Sequence, residues 1–269
     1  MCLNFVGSKG RYPMRIALLH LDLAGGPREK NEKLLLKAIE KAGKEGASVI
    51  VTPETALEGY YFYERDKGAL EKIPIHDSEE FLPFRRLAKK LGVSIFLSAV
   101  EKMEDDSAYN SCFYLSPQGE EQGVHRKMYS HQSGAEGWLT LGDRIHMFPL
   151  GPLKAGLLVC ADVYYEKPCI AMKEGGADMV LVSAAWPPAS CCPDPMAVWK
   201  KASLRCDCPV IVCNQTGKYD KMDMTIGESA VVSQGKGVLS YRGKPATLIF
   251  DFDEKNHKIL SHEFQLISM

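Results

Sequence analysis

Cys160 directly follows the apolar run Ala155-Gly156-Leu157-Leu158-Val159, and Asp162 stands two residues later. A thiol at the end of a buried strand becomes a nucleophile when a nearby base or cation stabilises its thiolate. The plain alternative is a buried structural cysteine. Glu54 follows Val49-Ile50-Val51-Thr52-Pro53 and is a candidate general base. Against that, Pro-Glu is also favoured at the first turn of a helix. Glu58, four positions on, competes for the same role. Lys127, in His125-Arg126-Lys127, would polarise a carbonyl or hold an oxyanion if buried; otherwise it belongs to a solvated basic run. Glu136 sits in Gly134-Ala135-Glu136-Gly137-Trp138, where the glycines suggest a constrained loop. A surface glutamate is the default there. Tyr60, Trp138 and Trp186 suit a pocket wall or the core equally well.

Chemistry among these groups requires elements that bring them together. Ile16 to Leu19 is a short apolar strand, and Leu35, Ala38, Ile39 and Ala42 mark one face of a helix. Val49-Ile50-Val51 is a buried strand. Asp77 with Glu80 resembles a capping box for a helix through Phe81, Phe84, Ala88 and Leu91, closed by Gly92. Lys44-Glu45-Gly46-Ala47-Ser48-Val49 is echoed by Lys173-Glu174-Gly175-Gly176-Ala177-Asp178-Met179, each a helix end, a glycine cap and a buried strand. Later runs, Ala230-Val231-Val232 and Thr247-Leu248-Ile249-Phe250, are strands without intervening helices. The pattern predicts a mixed α/β sheet with helices on its faces. Sites in such sheets gather beyond the carboxyl ends of strands. Thr52-Pro53-Glu54, Cys160-Ala161-Asp162, Ala185-Trp186-Pro187 and Asn214-Gln215 then fall on one edge.

The 269 residues are 45% hydrophobic and 25% charged, a globular composition. With 33 Lys+Arg against 34 Asp+Glu, the net charge of -1 lacks the basic field of a general nucleic-acid binder. No apolar run approaches a membrane span, so no membrane association is expected. Met14-Arg15-Ile16 resembles a second start. Residues 1–14 are therefore expected to form an N-terminal arm and 15–269 a single domain. The short apolar run after Arg15 does not form a signal peptide, and the nine cysteines are expected to be reduced thiols of a cytoplasmic protein.

In this order, Val51-Thr52-Pro53-Glu54 with Gly59-Tyr60, Arg126-Lys127, Glu136-Gly137-Trp138 with Gly142, and Leu157-Leu158-Val159-Cys160-Ala161-Asp162 resemble the Glu-Lys-Cys segments of the nitrilase, or carbon–nitrogen hydrolase, superfamily. Asn214-Gln215-Thr216-Gly217 and Gly227-Glu228-Ser229 with Gly237 resemble further recurrent segments. The resemblance implies a four-layer α-β-β-α sandwich that pairs into a homodimer or larger homo-oligomer. It implies hydrolysis of a non-peptide carbon–nitrogen bond, in a small amide or carbamoyl compound, with no cofactor and no metal. Cys160 would form a thioester, Glu54 would move protons, and Lys127 with the Ala161 N–H would hold the oxyanion. Glu136 would position Lys127 or the substrate, and Tyr60, Trp138, Ala161 and Trp186 would contact it. Two departures stand out. Pro168 comes eight residues after the cysteine instead of six, behind Tyr164-Tyr165-Glu166-Lys167. Ala161-Asp162 follows the cysteine where aromatic-nitrile hydrolases carry Trp-Glu, which resembles the amide-hydrolysing branches.

Three competing readings remain. Nitrile hydrolysis, acyl transfer or a catalytically silent scaffold would use the same fold. A papain-like pair would join Cys160 to His125 or His131. Cys191-Cys192 with Cys206, Cys208 and Cys213 would suit a metal or redox role, but the C-x₂-C spacing of zinc sites is missing.

Overall fold

Alternating side chains of the first strand serve two different cores. In β1 (Met14–His20), Ile16 and Leu18 enter one cluster, while Ala17 and Leu19 enter another. The period-two alternation of a strand buried on both faces requires this. The computed structural model describes residues 13–77, 79–188, 194–220 and 222–269. After β1 come α1 (Arg28–Lys44), β2 (Val49–Val51), α2 (Phe62–Arg65), α3 (Leu82–Leu91), β3 (Ser94–Lys102), β4 (Ala108–Leu115) and β5 (Glu121–Arg126). The middle of the chain forms β6 (Met147–Leu150), β7 (Leu153–Val159), α4 (Glu166–Glu174), β8 (Met179–Ala184), α5 (Pro195–Cys206) and β9 (Val210–Asn214). The last part contributes β10 (Lys218–Tyr219), β11 (Met222–Asp223), β12 (Ser229–Ser233), β13 (Lys236–Tyr241), β14 (Ala246–Asp253), β15 (Lys258–Ile259) and β16 (Gln265–Ser268).

Among the described residues these strands form a small sheet of β10 and β11 and two large sheets. One runs β15-β14-β1-β2-β3-β4-β5, with β16 also against β14; the other runs β13-β12-β9-β8-β7-β6. Each has a parallel centre, β1-β2-β3 and β7-β8-β9. Each is extended by antiparallel strands. Leu35, Ala38, Ile39 and Ala42 of α1, with Phe84 and Ala88 of α3, cover the outer face of the first sheet. Met172 of α4 and Val198, Trp199 and Ala202 of α5 pack with the second sheet, whose other face meets Ile16, Val51, Phe96 and Tyr114 of the first. The result is the α-β-β-α sandwich. Among the described residues no helix is long and apolar enough to cross a membrane.

The echo in the sequence is a repeated helix ending. Gly46 and Gly176 both take positive φ, 87° and 71°. Ala47 N donates to Ala42 O and Ala177 N to Met172 O, both at 3.0 Å, so each helix closes with the same six-residue bond and feeds a parallel strand. Gly92 ends α3 in the left-handed conformation, as its position predicts.

Other expectations are corrected. Asp77 does not cap α3, which starts at Leu82. Its carboxylate turns back on the N–H groups of Glu79 and Glu80, and the Glu80 carboxylate goes to Arg28 and His76. Pro83 favours the later start. Met14, expected in the arm, is already paired with Phe252 in β1. Ile95-Phe96-Leu97 marks β3 in the sequence, but β4 and β5 have no counterpart in the periodicity reading, because polar side chains of β4, such as Asn110 and Ser111, are buried and bonded inside.

Candidate active site

Four carboxyl-ended strands deliver the site. Glu54 lies three residues past β2, Lys127 directly past β5, Cys160 directly past β7 and Ala185 directly past β8. Two of these positions bend the chain sharply. Cys160 has φ 45° at the start of the 3-10 turn Cys160–Tyr164, and Thr55 beside Glu54 has φ 43°. Left-handed φ at non-glycine residues is strained by about 1–3 kcal/mol and clusters at functional sites. Gly59 has φ 87°, and a Cβ there would strike the carbonyls of Leu23 and Ala24, so only glycine lets the chain deliver Tyr60.

The ionic centre is buried. Lys127 Nζ donates to Glu54 Oε1 at 2.7 Å and to Glu136 Oε1. Asn110 Nδ2 donates to the same Glu54 oxygen at 2.8 Å, and Ala185 N donates to the other at 2.9 Å. Ser130 Oγ donates to Glu136 Oε2 at 2.6 Å. Gln215 Nε2 donates to the Glu54 carbonyl at 2.5 Å. The Cys160 thiol lines the same cavity as Lys127 and Glu136, close enough to Glu54 for the carboxylate charge to act on it. Burial, together with the charge of Glu136, raises the Glu54 carboxyl above its usual range despite Lys127. Burial and the two glutamates push the Cys160 thiol well up. Burial disfavours the Lys127 ammonium, but its two carboxylate partners outweigh that and hold it charged, well above the usual range. Burial raises Glu136, yet the Lys127 ammonium and hydrogen bonds from Lys127 and Ser130 bring it below its ordinary value. Such groups titrate as a set.

Asp162 joins two of these strand ends. Its Oδ2 accepts from Val159 N at 3.0 Å and pairs with His125 Nε2 at 2.9 Å; its Oδ1 accepts from Met128 N and Tyr129 N at 2.9 and 3.0 Å. Thus one buried carboxylate ties the Cys160 turn to the segment carrying Lys127. Asn214 similarly clamps Trp186, accepting from its N–H at 2.9 Å and donating to its carbonyl at 2.7 Å.

A cavity of about 340 Å³ opens above the thiol, lined by Tyr60, Lys127, His131, Glu136, Cys160, Ala161, Tyr164, Tyr165, Ala185, Trp186, Pro187 and Met222. It gathers seven of the eight residues singled out in the sequence, counting Glu54 directly beneath it. Trp138 is the exception. It packs edge-on against Phe62 at 5.2 Å and donates to the Ala135 carbonyl, so it supports the Glu136 loop from behind. Glu58 faces elsewhere, paired with Arg28 at 2.7 Å and accepting from Val100 N. His125 is committed to Asp162, and His131 is an exposed residue of the cavity wall. Among the described residues no group of three His, Cys, Asp or Glu is placed to hold a metal; Cys191 and Cys192 lie outside the described residues.

The sequence reading missed Asn110 and Ser130, and it quoted Asp162 and Gln215 without a role. For Asp162 and Gln215 a signal existed, since both stand at strand ends on the edge already singled out. Asn110 lies inside β4 and carried none.

The carbon–nitrogen hydrolase family model matches residues 15–243. The 2-oxoglutaramate amidase of Bacillus subtilis is 25% identical over 240 residues, covering 87% of this chain and 88% of that protein. A nitrilase of Pyrococcus abyssi is 30% identical over 160 residues, 56% of this chain and 57% of its own. Among solved structures, an amidase from Nesterenkonia sp. superposes with a TM-score of 0.74 at 20% identity, covering 92% of this chain and 94% of that one. A nitrilase-superfamily member of Saccharomyces cerevisiae gives 0.79 at 18% identity, covering 91% of each. With a match that runs from β1 to just beyond β13, the chain belongs to the carbon–nitrogen hydrolase family.

Proposed function

We propose that this carbon–nitrogen hydrolase cleaves small carboxylic amides through a thioester on Cys160, with Glu54, Lys127 and Glu136 as its working groups. The observation that carries this reading is that the buried Lys127 ammonium bonds both Glu54 and Glu136 at the floor of the cavity that Cys160 also lines. The thiol is held protonated at rest, so attack needs a base at the moment of reaction. Glu54, its basicity raised by burial, takes the thiol proton as sulfur bonds to the carbonyl carbon. The oxyanion is held by Lys127 and by the N–H of Ala161, near the start of the 3-10 turn where N–H groups lack acceptors within the turn. Glu54 returns the proton to the nitrogen as the C–N bond breaks and ammonia leaves. It then deprotonates water, which cleaves the thioester and restores the thiol.

Asn110 and Ala185 hold the two oxygens of Glu54, so the carboxylate is aimed before substrate arrives. Glu136 keeps Lys127 charged and oriented. The expected homo-oligomer and cytoplasmic setting belong to this proposal. Ile170 of α4 and Leu204 of α5, exposed on the outer helical layer, support helix-to-helix pairing.

The test is ammonia release from a panel of amides and nitriles by the wild-type protein and Glu54→Gln. A folded Glu54→Gln variant is expected to lose roughly 10²–10⁴-fold in rate. Undiminished turnover by that variant rejects Glu54 as the base.

A further inference from the structure

We propose that the cavity over Cys160 selects amides whose acyl group is uncharged and apolar, aromatic rings included, and discriminates against amides that carry a second carboxylate. This rests on the hydrolase reading above and names its substrate class.

The walls supply the first argument. Tyr60, Tyr164, Tyr165, Trp186, Pro187 and Met222 surround the opening. The rings at the rim are ordered against one another. Tyr165 stacks on Tyr129 with centroids 3.9 Å apart and 15° between planes, and Tyr164 stands edge-on to Tyr165 at 5.3 Å. Trp186 is fixed by Asn214 through its backbone and stands edge-on to Trp199 at 6.4 Å. Tyr164 and Tyr165 remain 47% and 37% exposed, so their ring surfaces are open to a ligand. These two residues lie between the turn that starts at Cys160 and α4, which begins at Glu166. The connection from the Cys160 turn to α4 therefore sets the aromatic rim. Aromatic pairs of this geometry reward an apolar or aromatic group beyond simple area burial.

The charge at the floor supplies the second argument. The Lys127 ammonium already serves two carboxylates, Glu54 and Glu136. The Tyr60 hydroxyl, after burial itself, is pushed well up by Glu136 and Glu54, and the Cys160 thiol is pushed up by the same pair. Two carboxylates against one ammonium leave an excess of acidic groups at the floor. A substrate carboxylate brought into this cavity would be desolvated against that excess.

The measurement is kcat/KM for ammonia release from 3-phenylpropionamide, butyramide, succinamate and 4-aminobutyramide. The two uncharged amides are expected to exceed succinamate by roughly tenfold or more. In the double variant Tyr164→Ala/Tyr165→Ala, 3-phenylpropionamide is expected to lose kcat/KM mainly through KM, and its advantage over butyramide should shrink. Preference for succinamate or for the cationic 4-aminobutyramide overturns the assignment while leaving the hydrolase reading intact. So does an equal loss on all substrates in the double variant. No turnover of any amide overturns both.

Discussion

His125 Nε2 and Asp162 Oδ2 lie 2.9 Å apart with both side chains fully buried. This pair links the end of β5 to the turn that presents the thiol, because Asp162 also accepts from Val159, Met128 and Tyr129. The histidine that could have served as a base in a Cys–His pair is therefore an internal tie between the two sheets.

Asp162→Ala strands these buried donors at about 1–3 kcal/mol each. We expect at least about 3 kcal/mol of lost stability in chemical denaturation, together with loss of activity. Asp162→Asn keeps an acceptor oxygen and should recover part of both. A loss below about 1 kcal/mol for the alanine variant would show that the carboxylate is not the joint.

Glu136→Gln removes a negative charge that raises the thiol of Cys160 and the carboxyl of Glu54. The thiolate becomes easier to form once that charge is gone. The pH profile of Cys160 alkylation, followed by peptide mass mapping, should move to lower pH. A move to higher pH contradicts the assigned electrostatics.

Gly142 N donates to the Lys127 carbonyl at 2.8 Å, and a Cβ at this glycine would overlap the carbonyl of Arg126. The backbone must shift next to Lys127 to admit alanine. Gly142→Ala should cost about 1–3 kcal/mol of stability and lower kcat. Retained kcat with unchanged thermal stability would show that the segment yields freely.

His76 Nδ1 lies 2.8 Å from Glu80 and its Nε2 3.2 Å from Glu121. Burial opposes its charge, but the two carboxylates outweigh burial and raise its pKa to about 10 from 6.5. A folded-state pKa raised in this way contributes stability fully present below about pH 6.5 and lost as pH rises through about 10. In His76→Gln the fall of unfolding free energy between these limits should flatten. An unchanged slope would assign that fall to other groups.

Glu54 and Cys160 were legible because each stands at or near the end of a strand, and strand ends on one edge of an α/β sheet converge whatever the loops do. Lys127 was legible only through the resemblance of its segment, since β5 before it gave no periodic signal. The glycine-capped helix ends at Gly46 and Gly176 were legible for a local reason, since only glycine takes that conformation without strain. Trp138 could not be separated from Tyr60 and Trp186 by type or spacing. All three are aromatic residues near the right segments. Which of them faces the cavity depends on contacts across the fold: Phe62 draws Trp138 behind the Glu136 loop, and Asn214 holds Trp186 at the rim. Strands β4 and β5 escaped the periodicity because the inward polar groups of β4 bond to residues elsewhere in the fold, Ser111 to Glu101 and Asn110 to Glu54, pairings visible only when the chain is folded. Residue chemistry and the succession of helices and strands along the chain are local properties that a chain carries in its text. The aim of Glu54, the charge balance around Lys127 and the identity of the cavity walls arise from long-range contacts, and tertiary packing decided those.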